Sequence, residues 1–204
     1  MLTMEEVQSR LEPFIECFVS SHEKAVASYR KALEAEPEMV AAFSPSRRAL
    51  DIHERTCFHI RSASLRMEGI HVTSLSTFFV AVGNEVLVRF KTLQSGSPRN
   101  HASEAQWFYD RQQIKPEDME DLASFGILEP PTIVTCGYTL HLSELLLDRV
   151  LIQRDCKGHQ PWWYTISGGV EISEPLHIAG TEEITPARIA PKRKSRPVEG
   201  SGSL

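Results

Sequence analysis

Four groups that carry or can carry positive charge, Arg89, Lys91, Arg99 and His101, crowd into the stretch EVLVRFKTLQSGSPRNH, residues 85–101. Side chains alternate along a strand, so Arg89 and Lys91 share one face, roughly 7 Å apart at ~3.3 Å per residue. That spacing suits successive phosphates of a nucleic-acid strand. Arg99 would add a fork-shaped donor, and His101 a group that titrates near neutrality. Two chemistries follow: the cluster can grip a polyanion, or, with His101 as general acid or base, cleave RNA in the manner of a small toxin-like ribonuclease. A plain solvated strand followed by a polar turn accounts for the same residues.

A second aromatic feature lies in PWWYTISG, residues 161–168. Trp162 and Tyr164 fall on one face of a strand and are expected in the core. Trp163 takes the other face, where an aromatic beside Arg149 or Lys91 would anchor a protein or stack on a base. His53 and Cys57 stand four residues apart on a helix, near His59, and Cys156 and His159 flank a turn. A zinc site needs about four ligands, usually in short paired spacings at both ends. No motif ties these residues together, so no metal is expected. Glycine-rich nucleotide loops, the G-x-S-x-G elbow and H-E-x-x-H are absent from the sequence, and no cofactor is expected.

At the N-terminus, Thr3 with Glu6 fits a capping box. Val7, Leu11, Phe14, Phe18, Val26, Tyr29 and Leu33 then lay one apolar stripe along a helix. Pro13 should kink it or end a short first helix before Phe14. The stripe fits burial against the sheet, and it would equally serve pairing with a second copy. A further helix starts at Ser44-Pro45 and runs to about Leu65, with Leu50, Cys57 and Ile60 expected toward the core. After Gly69 the period changes to that of strands. IHVTSLSTFFVAV, the Gly83-Asn84 turn and EVLVRFKTL suggest a hairpin. Residues 94–131 form a crossover with a helix over about 103–113 and a second bracketed by Pro116 and Gly126. Three closing strands, TIVTCGYTLHL, LLLDRVLIQRD and PWWYTISG, should form an antiparallel meander.

The expected fold is α+β: N-terminal helices packed on one face of a mainly antiparallel sheet, with a helical crossover and a disordered C-terminal tail. Residues 1–170 read as a single domain (1–66 helical, 67–170 sheet and crossover) and 171–204 as a flexible basic tail. The opposite sheet face should be half covered, presenting Arg89 and Lys91 together with Arg149, Gln153 and Trp163.

At 204 residues, 41% apolar and 24% charged, the chain has the composition of a folded protein and not of a disordered one. Its net charge of −5 divides into −4 over residues 1–43, +3 over 44–111, −6 over 112–180 and +2 over 181–204. A basic middle between acidic flanks points toward an anionic partner. No apolar run reaches the ~18 residues of a membrane span. The start lacks the layout of a signal peptide, and the four cysteines form no C-x-x-C pair. The expected location is intracellular: cytoplasmic, or nuclear for a eukaryotic or viral source given PKRKSRP at 191–197. These observations favour a non-enzymatic binding module working through a macromolecular partner, protein or nucleic acid, at Arg89, Lys91, Arg99, His101 and Trp163. The alternatives are the ribonuclease and a protein scaffold that never touches nucleic acid.

Overall fold

The computed structural model describes residues 1–38, 42–74, 77–94, 97–98, 104–141, 146–154 and 162–167. Arg99, His101, Cys156, His159 and the tail lie outside them. Helix α1, Met4–Leu11, opens on the expected capping box: the Thr3 hydroxyl accepts from the Glu6 amide, and the Glu6 carboxylate accepts from the Thr3 amide at 2.7 Å. Pro13 sits in a 3₁₀ turn, Glu12–Phe14, and α2 follows as Ile15–Ala35. Helix α3, Pro45–Ser64, is capped by Ser44, whose hydroxyl accepts from the Arg47 amide.

The strands are β1 (Ile70–Ser74), β2 (Phe78–Val82), β3 (Val86–Gln94), a two-residue β4 (Ser97–Pro98), β5 (Thr132–His141), β6 (Leu146–Arg154) and β7 (Trp162–Thr165). Between β4 and β5 lie α4 (Glu104–Tyr109) and α5 (Pro116–Ala123). The main sheet has the order β1-β2-β3-β5-β6-β7, and β4 pairs with β3 to one side. Its neighbours are antiparallel except β3 and β5, which run parallel. A parallel pair cannot be joined by a tight turn, so the chain must cross a face of the sheet between them. The expected α+β architecture holds, including the closing meander. One expectation changes: residues 70–82 are two strands, not one, with Ser74 paired to Phe78. In sequence, the stretch between these strands has no Gly, Pro, Asn or Asp to mark a break, and its serines are the weaker signal.

The first core lies between helices α1–α3 and one sheet face. Val7, Leu11, Phe14, Phe18, Val26 and Tyr29 pack there against Val86, Val88, Phe90, Val134, Tyr138, Ile152 and Tyr164. The N-terminal stripe is thus largely taken up within the chain, with Leu33 partly buried at its far end. Helix α3 turns Ile52, Thr56 and Ile60 inward, and Leu50 is 44% exposed, contrary to the expectation that it would face the core. The i, i+4, i+8 row of Ile52, Thr56 and Ile60 sets the buried side of the helix, and Leu50 falls outside it.

A second core forms on the opposite face under the crossover: Phe79, Ala81, Leu87 and Ile133 from the sheet, Tyr109, Ile114, Leu122 and Ile127 from above. Gln112 fastens this layer. Its Nε2 donates to the Ile133 carbonyl and its Oε1 accepts from the Ile133 amide, both at 2.8 Å. Ile133 lies beyond the stretch of β5 that β6 pairs, so the amide side chain stands in for a missing strand neighbour. Gln112 holds this position with φ at +55°, a left-handed conformation uncommon outside glycine. No described helix is long and apolar enough to cross a membrane.

Candidate interaction surface on the second sheet face

The register lays one row of side chains across five strands: Phe79, Arg89, Thr135, Gln153 and Trp163. The next row toward the end of β3 is Lys91, Gly137, Leu151 and Thr165. Arg149, opposite Thr139, lies one step further. Arg89, Lys91, Arg149, Gln153 and Trp163 therefore do share a face.

Arg89, however, does not meet solvent. It is 3% exposed, its Nε donates to Thr135 Oγ1 at 2.7 Å and its Nη1 to Gln106 Oε1 at 2.9 Å. The guanidinium also lies 5.7 Å from the centre of the Tyr109 ring. The expectation of an exposed Arg89 is corrected for a definite reason. The parallel β3/β5 pair forces a crossover, and α4 brings Gln106 and Tyr109 down over this part of the face. A charge out of water persists only when its donors are taken up by acceptors, which Thr135 and Gln106 supply. Arg89 ties the crossover to the sheet.

Beyond α4 the described helices do not reach over the face, although Leu151 and Gln153 are buried there. Lys91 is half-buried, and burial first, then the neighbouring Arg89 charge, pushes its pKa below the usual lysine range. Trp163, Thr139 and Thr165 are half-buried, Arg149 is exposed, and Leu151 and Gln153 are buried between them. Leu93 lies over Gly137, where a Cβ would come within 2.5 Å of its side chain. Arg149 sits 3.5 Å from the carboxylate of Asp148, which also accepts from Thr139. From strand spacing and rise, Lys91 and Arg149 have Cα atoms about 12 Å apart, and Trp163 stands about 14 Å from Arg149.

With Arg99 and His101 outside the described residues, the ribonuclease constellation reduces here to Arg89 and Lys91, of which Arg89 is engaged in the fold. Trp162 and Tyr164 pack into the first core as expected, their rings 6.2 Å apart. Cys57 Sγ and His53 Nε2 touch at 3.6 Å on α3. Among the described residues no three His, Cys, Asp or Glu groups are placed to hold a metal ion. Gln106 and Gln112 are the residues that sequence reasoning passed over. Nothing marks a buried glutamine in sequence except its place beneath a crossover. Comparisons with family models, curated proteins and solved structures find no match.

Proposed function

We propose that the chain is a non-enzymatic, intracellular binding module that engages an anionic macromolecule through the half of the second sheet face that lies beyond α4 and α5. The observation that carries the reading is Lys91, a cation held half-buried beside a second cation. An ammonium in that setting is poorly solvated and repelled by Arg89, so an incoming phosphate or carboxylate relieves both penalties at once. Arg149, paired with Asp148 at 3.5 Å, adds a fork of donors that an incoming anion would compete for, and Trp163 offers a flat apolar contact at the edge of the sheet. Arg89 supports this surface from beneath.

Fluorescence anisotropy of labelled single-stranded RNA and DNA against the full chain, at several salt concentrations, tests the reading. Binding should weaken steeply with salt, with a log–log slope of about −0.7 for each phosphate neutralised on a single strand. It should drop roughly tenfold or more in Lys91→Ala/Arg149→Ala. A companion variant with Lys192, Arg193, Lys194 and Arg196 all changed to alanine separates the face from the tail. Binding that follows the tail alone, or that ignores salt, overturns the proposal.

A further inference from the structure

Helix α3 holds a thiol and an imidazole in contact. His53 and Cys57 stand at i and i+4, one above the other on the helix, and Cys57 Sγ lies 3.6 Å from His53 Nε2. Both side chains are half-buried, and both line a groove of about 430 Å³ with Leu50, Glu54, Phe58, Arg61 and Phe78. The pair is therefore open to a small ligand, while three apolar side chains exclude part of the water around it. With the thiol donating, Nε2 keeps its lone pair on the sulfur side, which is the tautomer a metal ion requires. The separation fits a shared ion as well. Bonds of about 2.3 Å to sulfur and about 2.0 Å to nitrogen, meeting at about 110–120°, set the two atoms about 3.5–3.7 Å apart.

The donor set and the charge balance select the ion. Zinc takes about four protein ligands in a structural site and about three in a catalytic one. Among the described residues no third His, Cys, Asp or Glu is placed to join the pair. Calcium and magnesium ask for oxygen ligands. Thiolate and imidazole are instead donors that take copper(I), the thiolate selecting soft ions, and a closed-shell monovalent ion accepts so few ligands. Charge agrees. The groove lining carries one carboxylate, Glu54, and one guanidinium, Arg61, so it holds no surplus for a divalent cation. A monovalent ion that replaces the Cys57 thiol proton, released to solvent, leaves the net charge of the half-buried pair unchanged. A divalent ion would add a positive charge in an apolar setting, which is costly. We infer that Cys57 and His53 form a two-ligand site for a soft monovalent metal ion, copper(I) among the biological ones, with its remaining position open to the groove. This site shares no residue with the second sheet face, so it stands or falls apart from the anion-binding reading.

The test loads the reduced full chain anaerobically from a chromogenic copper(I) chelator, bicinchoninate. The wild type should withdraw one equivalent of copper(I). Loss of an outer-sphere partner alone costs a metal site about 10–100-fold, so removal of a direct ligand, in Cys57→Ser or His53→Gln, should weaken uptake by about a hundredfold or more. Both replacements keep a polar side chain of similar size, and circular dichroism and melting of the metal-free variants check the fold. Cys17→Ser and Cys156→Ser should leave uptake within about twofold. Copper(I) should also raise the melting temperature of the wild type and not of Cys57→Ser, since an ion bound only to the folded state stabilises it. X-ray absorption of the loaded wild type decides without any variant: the copper should have one sulfur and at least one nitrogen as neighbours. No uptake, uptake that survives either substitution, uptake lost in Cys156→Ser, a copper without a nitrogen neighbour, or zinc(II) bound at Cys57 as tightly as copper(I) overturns the inference.

Discussion

His22 is fully buried, and its Nδ1–H donates to the Phe18 carbonyl at 2.7 Å. Its ring lies 5.0 Å from that of Tyr138 and 5.9 Å from that of Phe90, and among the described residues its Nε2 has no hydrogen-bond partner. Burial drives its pKa down to about 4; the Phe18 carbonyl opposes the shift, and the nearby His53 adds a little to it. The unfolded chain takes up a proton on this residue near its ordinary value of 6.5, whereas the folded chain resists until about 4. The stability it confers is therefore complete above the unfolded pKa and is lost as pH falls toward the folded one. The loss amounts to about 3 kcal/mol between about pH 7 and pH 4. Urea unfolding of the wild type and His22→Leu across that range should show the wild type losing about 3 kcal/mol more than the variant, since the carboxylates common to both cancel. Parallel stability curves would show that this imidazole is not the sensitive group. At the same scale, Gly137 is required by a neighbour rather than by its backbone angles. A methyl there meets the Leu93 Cγ and both Cδ atoms at 2.5–2.6 Å, and Leu93 is itself buried. Gly137→Ala should cost about 1–3 kcal/mol through overpacking. The same change made in a Leu93→Ala background should cost much less, a coupling that a double-mutant cycle reads directly. Equal costs in the two backgrounds would remove Leu93 as the reason for the glycine.

At the scale of elements, the crossover is held by side chains that fasten it to β5 and β3. Gln112→Ala leaves the Ile133 amide and carbonyl without their partner, at about 1–3 kcal/mol for each buried group left unsatisfied. The variant should be destabilised by about 2–4 kcal/mol, and the Ile133 amide should exchange with solvent much faster. An unchanged exchange rate at Ile133 would refute the clamp. How much of these elements is legible in sequence follows from where their information lies. The Thr3 and Ser44 caps, the Pro13 break, the Gly83 turn and the limits of α5 are local events, written in adjacent residues. The inward side of α3 was harder, because Leu50 and Ile52 are equally apolar and only their distance from α2 and the sheet separates them. The burial of Arg89 is hidden for a similar reason: alternation fixes its face, but what covers that face comes from a residue 17 positions away, Gln106. A hint was present nonetheless. Phe79, Val80, Ala81 and Val82 form an unbroken apolar run, the pattern of a strand buried on both faces, and it announces a second covering layer above the sheet.

At the scale of the whole molecule, the second sheet face and α3 lie on opposite sides of the sheet, and Lys91 belongs to the second face. Near the end of β3, past the last pairing with β2 at Arg89, it shares that face with Arg149 and Trp163. Substitutions confined to one side should therefore act separately, because sites well apart with no shared contacts contribute additively. Arg149→Ala/Trp163→Ala should weaken single-stranded RNA roughly tenfold and leave copper(I) uptake within about twofold. Cys57→Ser should do the reverse. Lys91→Ala should weaken RNA, more steeply at low salt where charges are less screened. Copper(I) that displaces the Cys57 proton adds no charge, so saturating the chain with it should leave RNA affinity within about twofold. If copper(I) shifts RNA affinity in the wild type but not in Cys57→Ser, the sheet couples its two sides, and occupancy of one regulates the other. A shift that persists in Cys57→Ser would instead place the ion away from α3, against the pairing of His53 with Cys57.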